Sequence, residues 1–141
     1  MARNAVTVLK LTTANSSVSA VPTMAAVDSN TGAYISCKNI DASKMILVFN
    51  RTVSGTAAAS ADNIIIKDGD SKAGYSAYGL GDLKIAISSH GKGTAPTAGN
   101  AACDIVFVGP FETARFKDSD GYIKINCTNG TNITSIGAIL I

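Results

Sequence analysis

The sequence predicts an all-β protein, a single-domain antiparallel β-sandwich or small β-barrel of about eight or nine short strands. The 141 residues include one Glu and neither Gln nor Trp, so the chain has few of the residues that build the surfaces of helices. Isoleucine occurs 15 times, and β-branched residues favour strands. Ala, Gly, Ser, Thr and Asn make up about half of the chain, and turn-forming clusters separate the apolar segments. We therefore expect one β domain over residues 1–141, with an extended N-terminal segment, 1–20.

The first strands follow from short apolar or alternating segments. In Val6–Leu11 the apolar residues change faces after Val8, which predicts a bulge or a strand end covered on both faces. Ala33–Lys38 alternates, with Tyr34 and Ser36 on one face of the strand and Ile35 and Cys37 on the other. The next two predicted strands are Lys44–Asn50 and Asn63–Lys67.

Several of the later strands are predicted by alternation of apolar and polar residues, whereas Ser135–Ile141 is predicted by an uncharged apolar run. Phe111–Lys117 alternates in this way, which would place Phe111 and Phe116 on opposite faces of a strand. Gly109-Pro110 separates it from the strand before, and Asp120-Gly121 predicts a hairpin turn after it. The remaining predicted strands are Leu83–Ser88, Asp104–Val108, Tyr122–Cys127 and Ser135–Ile141.

Charge and cysteine content argue against several classes of partner and cofactor. The net charge is +2, with the 12 basic residues scattered singly, so we expect no nucleic-acid partner. The longest apolar run, Met45–Phe49, is far too short to span a membrane, and we expect no membrane association. Cys37, Cys103 and Cys127 are odd in number and widely spaced, which predicts small buried residues in a protein made in a reducing cytoplasm. We expect no metal and no cofactor.

Catalytic chemistry is disfavoured by the scarcity of suitable groups. His90 is the only histidine, and its neighbour Ser89 would point to the opposite face of an extended chain. The interpretation as a non-enzymatic protein is therefore preferred, and a small hydrolase that uses His90 is kept as an alternative.

Two segments contain candidate interface residues. Tyr75 and Tyr78 lie in a glycine-rich loop, where they could be interface anchors or lids on the core. Around Arg115, an arginine lies beside aromatic residues, a combination common at interfaces, although a structural salt bridge is the alternative. The second candidate set is Phe111, Glu112, Arg115 and Phe116.

Several segments resemble a family of small proteins of tailed bacteriophages, the head decoration or auxiliary capsid proteins. They are Ala5–Val8, Met45–Asn50, Gly79–Leu83, Val108–Phe116 and Asp120–Ile125. The resemblance implies a β-rich protein that binds the outside of the assembled capsid. It also implies the major capsid protein as partner and a homo-oligomer, with a trimer favoured. The contacts expected from it are the N-terminal segment, the Tyr75/Tyr78 loop and the Phe111–Phe116 region.

A binding module of a phage tail or fibre is the alternative function. Such a module would recognise a ligand on the host surface, and its expected signature is an exposed aromatic platform. Without tryptophan, the sequence suggests Tyr75 and Tyr78 as the source of that platform.

Overall fold

The computed structural model describes residues 3–11, 22–27, 32–54, 62–69, 81–87, 101–128 and 133–141. These residues form strands almost throughout, with a 3₁₀ turn at Ala42–Lys44 and one short helix, α1, at Thr113–Phe116. The strands are β1 (Asn4–Val6), β2 (Val8–Lys10), β3 (Ala25–Ala26), β4 (Ala33–Ser36), β5 (Met45–Ser54), β6 (Asp62–Ile66), β7 (Leu83–Ile87), β8 (Ala101–Val108), β9 (Tyr122–Thr128) and β10 (Ile133–Leu140).

The strands form two sheets that pack together as a sandwich, which confirms the predicted all-β class and excludes a closed barrel. Sheet I has the order β1-β4-β9-β6-β7. Sheet II has the order β2-β10-β5-β8, and β3 also pairs with β10. The expectation of purely antiparallel pairing was wrong, because β1 pairs with β4 and β2 pairs with β10 in parallel. Parallel neighbours need a crossover, and the segment between β1 and β4 provides one by passing through sheet II.

The core lies between the two sheets and is built from alternate residues of each strand. In β9, Ile123, Ile125 and Cys127 are buried, whereas the residues between them are partly exposed, so the predicted alternation is confirmed. Sheet II contributes Leu47 and Phe49 of β5 to the same cluster. A strand with one buried face accepts only one register, which fixes the outward faces described below.

The N-terminal segment contributes to both sheets, which explains the change of face noted in the sequence. Val6 is buried as part of β1 in sheet I, and after Thr7 the chain continues as β2 in sheet II. The predicted bulge is therefore a transfer of the chain from one sheet to the other.

Two of the three cysteines lie in the core as predicted. Cys37 and Cys127 are buried with free thiols, whereas the side chain of Cys103 lies outside the described residues. Burial raises the pKa of the Cys37 thiol, and the nearby Lys117 ammonium partly opposes that shift. Of the helices that the structure describes, none has the length and apolar character needed to cross a bilayer.

Candidate functional site

The Phe111–Phe116 region contributes to the core rather than to a flat strand surface. Both phenylalanine side chains are 3% exposed, and their rings meet edge to face with centroids 6.0 Å apart. The prediction of a strand with the two rings on opposite faces was wrong. As buried rings of one pair, they leave Glu112 as the exposed member of this candidate set.

The local sequence explains why a helical turn forms here. The backbone N–H groups of Arg115 and Phe116 donate to the Glu112 carbonyl at 3.2 and 3.4 Å. Glu, Ala and Arg all have high helix propensity, and the segment from Glu112 to Arg115 contains all three. Over so short a segment the apolar pattern fits a strand as well as a turn of helix, and tertiary packing of the rings decides between them.

Arg115 holds the segment before β7 in place. Its Nε and Nη2 donate to the Gly81 carbonyl at 3.1 and 3.0 Å, and its guanidinium carbon lies 4.7 Å from the centre of the Phe116 ring. The Gly69 N–H donates to the Arg115 carbonyl at 2.8 Å. Arg115 therefore joins the two ends of the segment that connects β6 to β7. The candidate residues Tyr75 and Tyr78 belong to that segment and lie outside the described residues.

Asp82 also links the two ends of this segment. Its carboxylate forms an ion pair with the Lys67 ammonium and accepts a hydrogen bond of 2.9 Å from the Asp68 N–H. Burial acts to raise the pKa of Asp82, but the hydrogen bonds from Lys67 and Asp68 outweigh it, so the pKa lies below its usual value. Asp82 and Arg115 thus hold the two described ends of the β6–β7 connection next to each other.

The outward face of sheet II has an exposed apolar patch, formed by Ile105 and Phe107 of β8. Their side chains are 62% and 66% exposed, although Val106 and Val108 between and beside them face the core. In the order of described strands, β8 is the edge of sheet II. We call Ile105 and Phe107 the apolar edge patch.

The rest of that face is partly covered by the chain itself. A Cβ atom on Gly137 would lie 2.7 Å from the Met24 Sδ, so residues around Met24 pack directly on the central strand β10. Val48, which pairs with Phe107 on one side and Gly137 on the other, is only 8% exposed. The residues around Met24 do not cover the apolar edge patch, and Ile105 and Phe107 stay exposed to solvent.

The outward face of sheet I is polar and contains an aromatic pair that the sequence interpretation missed. The rings of Tyr34 and Tyr122 lie 5.0 Å apart at 54°, and the Lys38 ammonium lies 5.4 Å from the centre of the Tyr122 ring. Both tyrosines occupy outward positions of alternating strands, which was the available signal. That signal did not reveal that β4 and β9 are neighbours.

Basic side chains gather on this same face although they are scattered along the sequence. Lys67 directly follows β6 and lies opposite Lys124 of β9, with the Lys67 N–H donating to the Lys124 carbonyl at 2.9 Å. Lys84 follows on β7, opposite Ile65. We call the set the cationic face, and it comprises Arg3, Lys38, Lys67, Lys84 and Lys124.

Arg3 reaches this face across a glycine. Its Nη1 donates to the Asn126 side-chain oxygen and to the Ile125 carbonyl, the latter at 3.0 Å. A Cβ atom on Gly32 would lie 2.6 Å from that nitrogen, and Gly32 has a positive φ of 71°. Burial lowers the pKa of the Arg3 guanidinium. Gly32 therefore provides the space in which the arginine lies on the sheet.

The described residues contain no group of three or more His, Cys, Asp or Glu side chains that could hold a metal ion. Ser89 and His90 lie outside the described residues, so the alternative based on His90 stays a hypothesis. No protein-family model matches this chain, and no curated protein or solved structure is significantly similar to it.

Proposed function

We propose that this protein is a non-enzymatic structural protein of a phage virion that binds the outside of the capsid and stabilises the shell. The observation that carries the proposal is the apolar edge patch, Ile105 and Phe107, on an edge strand of a β-sandwich. Large exposed apolar side chains that lie side by side are typical of protein–protein interfaces.

The chemistry of the surrounding surface supports association with a protein. The outward residues of β5 and β10 next to the patch are uncharged, among them Val48, Asn50 and Ser135, whose side chains lie beside one another. Burying one Phe or Ile side chain stabilises a complex by about 1.5–3 kcal/mol. A symmetric shell repeats each contact many times, so a small patch is sufficient for stable decoration.

The proposed partners are the major capsid protein and further copies of this chain, with a trimer as the favoured oligomer. The phage location rests on the resemblance of the sequence to decoration proteins, and the patch adds a surface through which such binding would occur. Virions assembled in the host cytoplasm would carry the protein on the capsid exterior.

Quantitative mass spectrometry of purified virions tests this proposal by giving copies of the protein per major capsid subunit. A whole-number proportion, such as one per subunit or one per capsomer, is expected for a shell protein. Absence of the protein from the particles would overturn the proposal.

A matched pair of variants tests the surface itself, with binding to shells that lack the protein as the measurement. Ile105→Ser combined with Phe107→Ser is expected to reduce binding strongly. Ile141→Ser makes the same chemical change as Ile105→Ser at a side chain that is 64% exposed and lies outside the expected contacts. This control is expected to bind like the unmodified protein. Equal loss in the patch variant and in the control would contradict a role for the apolar edge patch.

The second candidate function is a tail or fibre module that recognises a ligand on the host surface. The Tyr34–Tyr122 pair favours it, because these partly exposed rings lie side by side on the outward face of sheet I, where they can contact a ligand. A handful of copies per virion, located in the tail, would favour this function over shell decoration.

A further inference from the structure

We infer that the cationic face binds an acidic polysaccharide, a sugar chain that carries carboxylate or sulfate groups. The inference uses the outward face of sheet I alone. It is therefore independent of shell decoration, which uses the edge of sheet II, and either can fail without the other; it shares the Tyr34–Tyr122 pair with the second candidate function.

Five of the 12 basic residues of the chain lie on this face. Asp82 pairs with Lys67, and the Asp118 Oδ2 lies 2.8 Å from the Lys124 ammonium. Lys38 and Lys84 are exposed and add further positive charge. Such a concentration produces a local potential that attracts anions.

The cations form a band across the strands of sheet I. The Arg3 Nη1 lies at β9, where it donates to the Ile125 carbonyl and to the Asn126 side chain, and Lys124 is on the same strand. Lys67 directly follows β6, and Lys84 lies on β7. Two strand spacings, about 10 Å, separate β9 from β7. That distance suits an extended polyanion that lies across the sheet, rather than a single small anion.

The aromatic pair distinguishes between classes of polyanion. Single-stranded nucleic acid is bound by stacking of successive bases on aromatic rings. The Tyr34 and Tyr122 rings instead contact each other at 54°, with the Lys38 ammonium above Tyr122. They are not arranged as parallel platforms for bases. The C–H face of a sugar can pack against a single tilted ring, while its hydroxyl groups form hydrogen bonds with tyrosine and serine hydroxyls.

An acidic protein segment fits this face less well. A peptide gains affinity on a sheet by adding a strand to a free edge. The backbone groups of β4, β9 and β6 are already paired within sheet I, so a peptide strand could add only beside the edge strands β1 and β7 and not on the face itself. The face therefore offers side-chain charges and hydroxyls, and these groups match the acidic groups and hydroxyls of a polysaccharide.

Fluorescence anisotropy with a labelled heparin oligosaccharide, at pH 7 and low salt, tests the inference. Lys38→Glu combined with Lys84→Glu is expected to weaken binding at least about tenfold, and added salt is expected to weaken binding of the unmodified protein. Lys10→Glu combined with Lys44→Glu is the control. Both its positions are exposed, it changes the net charge equally, and it alters residues outside the cationic face.

Three outcomes would overturn the inference. The first is that the unmodified protein does not bind heparin. The second is that the control loses as much affinity as the Lys38/Lys84 variant, which would make the effect one of net charge. The third is tighter binding of an oligo-deoxythymidine or a poly-glutamate of equal charge, which would assign the face to nucleic acid or to an acidic protein. Circular dichroism checks folding, and Lys38→Gln with Lys84→Gln replaces the Glu variant if that variant unfolds.

Discussion

Replacing Phe116 by alanine is expected to lower the free energy of unfolding by about 3–5 kcal/mol. The side chain is 3% exposed and packs edge to face on Phe111 at 6.0 Å, with the Arg115 guanidinium 4.7 Å away on the ring. Loss of the ring removes about 1.5–3 kcal/mol of apolar burial and about 0.5–1.5 kcal/mol of aromatic pairing. The cavity that remains adds the rest.

Phe107→Ala makes the same chemical change at a ring that is 66% exposed. We expect it to change the free energy of unfolding by no more than about 0.5–1 kcal/mol. The ring is already mostly exposed to solvent, so removing it eliminates little buried apolar surface. Urea denaturation followed by far-ultraviolet circular dichroism measures both values. The denaturant dependence should be similar in the two variants, so that the difference appears in the transition midpoint.

Comparable destabilisation by the two substitutions would refute the assignment of Phe116 to the core and Phe107 to the surface. It would also remove the apolar edge patch as a surface available for binding. A monomeric sample is required, since association through Phe107 would add its own contribution to the apparent stability.

Two further predictions concern the backbone and the pH dependence. Gly32→Ala is expected to destabilise the protein by more than about 2 kcal/mol in urea denaturation, because its Cβ would lie 2.2 Å from the Ile125 carbonyl oxygen at a positive φ; a stability like that of the parent would contradict the described backbone. The lowered pKa of Asp82 means that its ion pair stabilises the fold above the unfolded pKa of about 4 and that this contribution is lost as the pH falls through the lower, folded value. Asp82→Asn should therefore reduce stability at pH 7 and flatten the dependence of the urea midpoint on pH below about 4, whereas an unchanged profile would exclude Asp82 as a contributor.

The sequence was sufficient to predict elements in which one face of a strand is buried. Alternation in Tyr122–Cys127 reports directly which side chains meet the core, so the strand and its orientation followed from the residues. The prediction of a strand at Phe111–Phe116 failed because a segment this short fits both the strand period and the helix period. The contact between the two phenylalanine rings decides in favour of the helical turn, and that contact depends on tertiary structure.

The surfaces were harder to predict from the sequence than the strands. The cationic face depends on strand order, which places Lys67 beside Lys124 although they are distant in sequence. The apolar edge patch depends on where residues around Met24 cover sheet II and where they stop. Both properties arise from pairing between distant segments, and a pattern read along one segment does not contain them.

The position of β10 has a consequence for how the protein folds during synthesis. Among the described strands β10 comes latest in the sequence, yet it lies inside sheet II between β5 and β2. Until the ribosome has released it, β5 lacks one of its two neighbours and β2 has no partner among the described strands. The apolar residues of β5 then face solvent beside an unpaired strand edge, which is the arrangement that promotes aggregation. Sheet II thus closes only after β10 has left the ribosome, and we expect a nascent chain that stalls before β10 to be a substrate for chaperones.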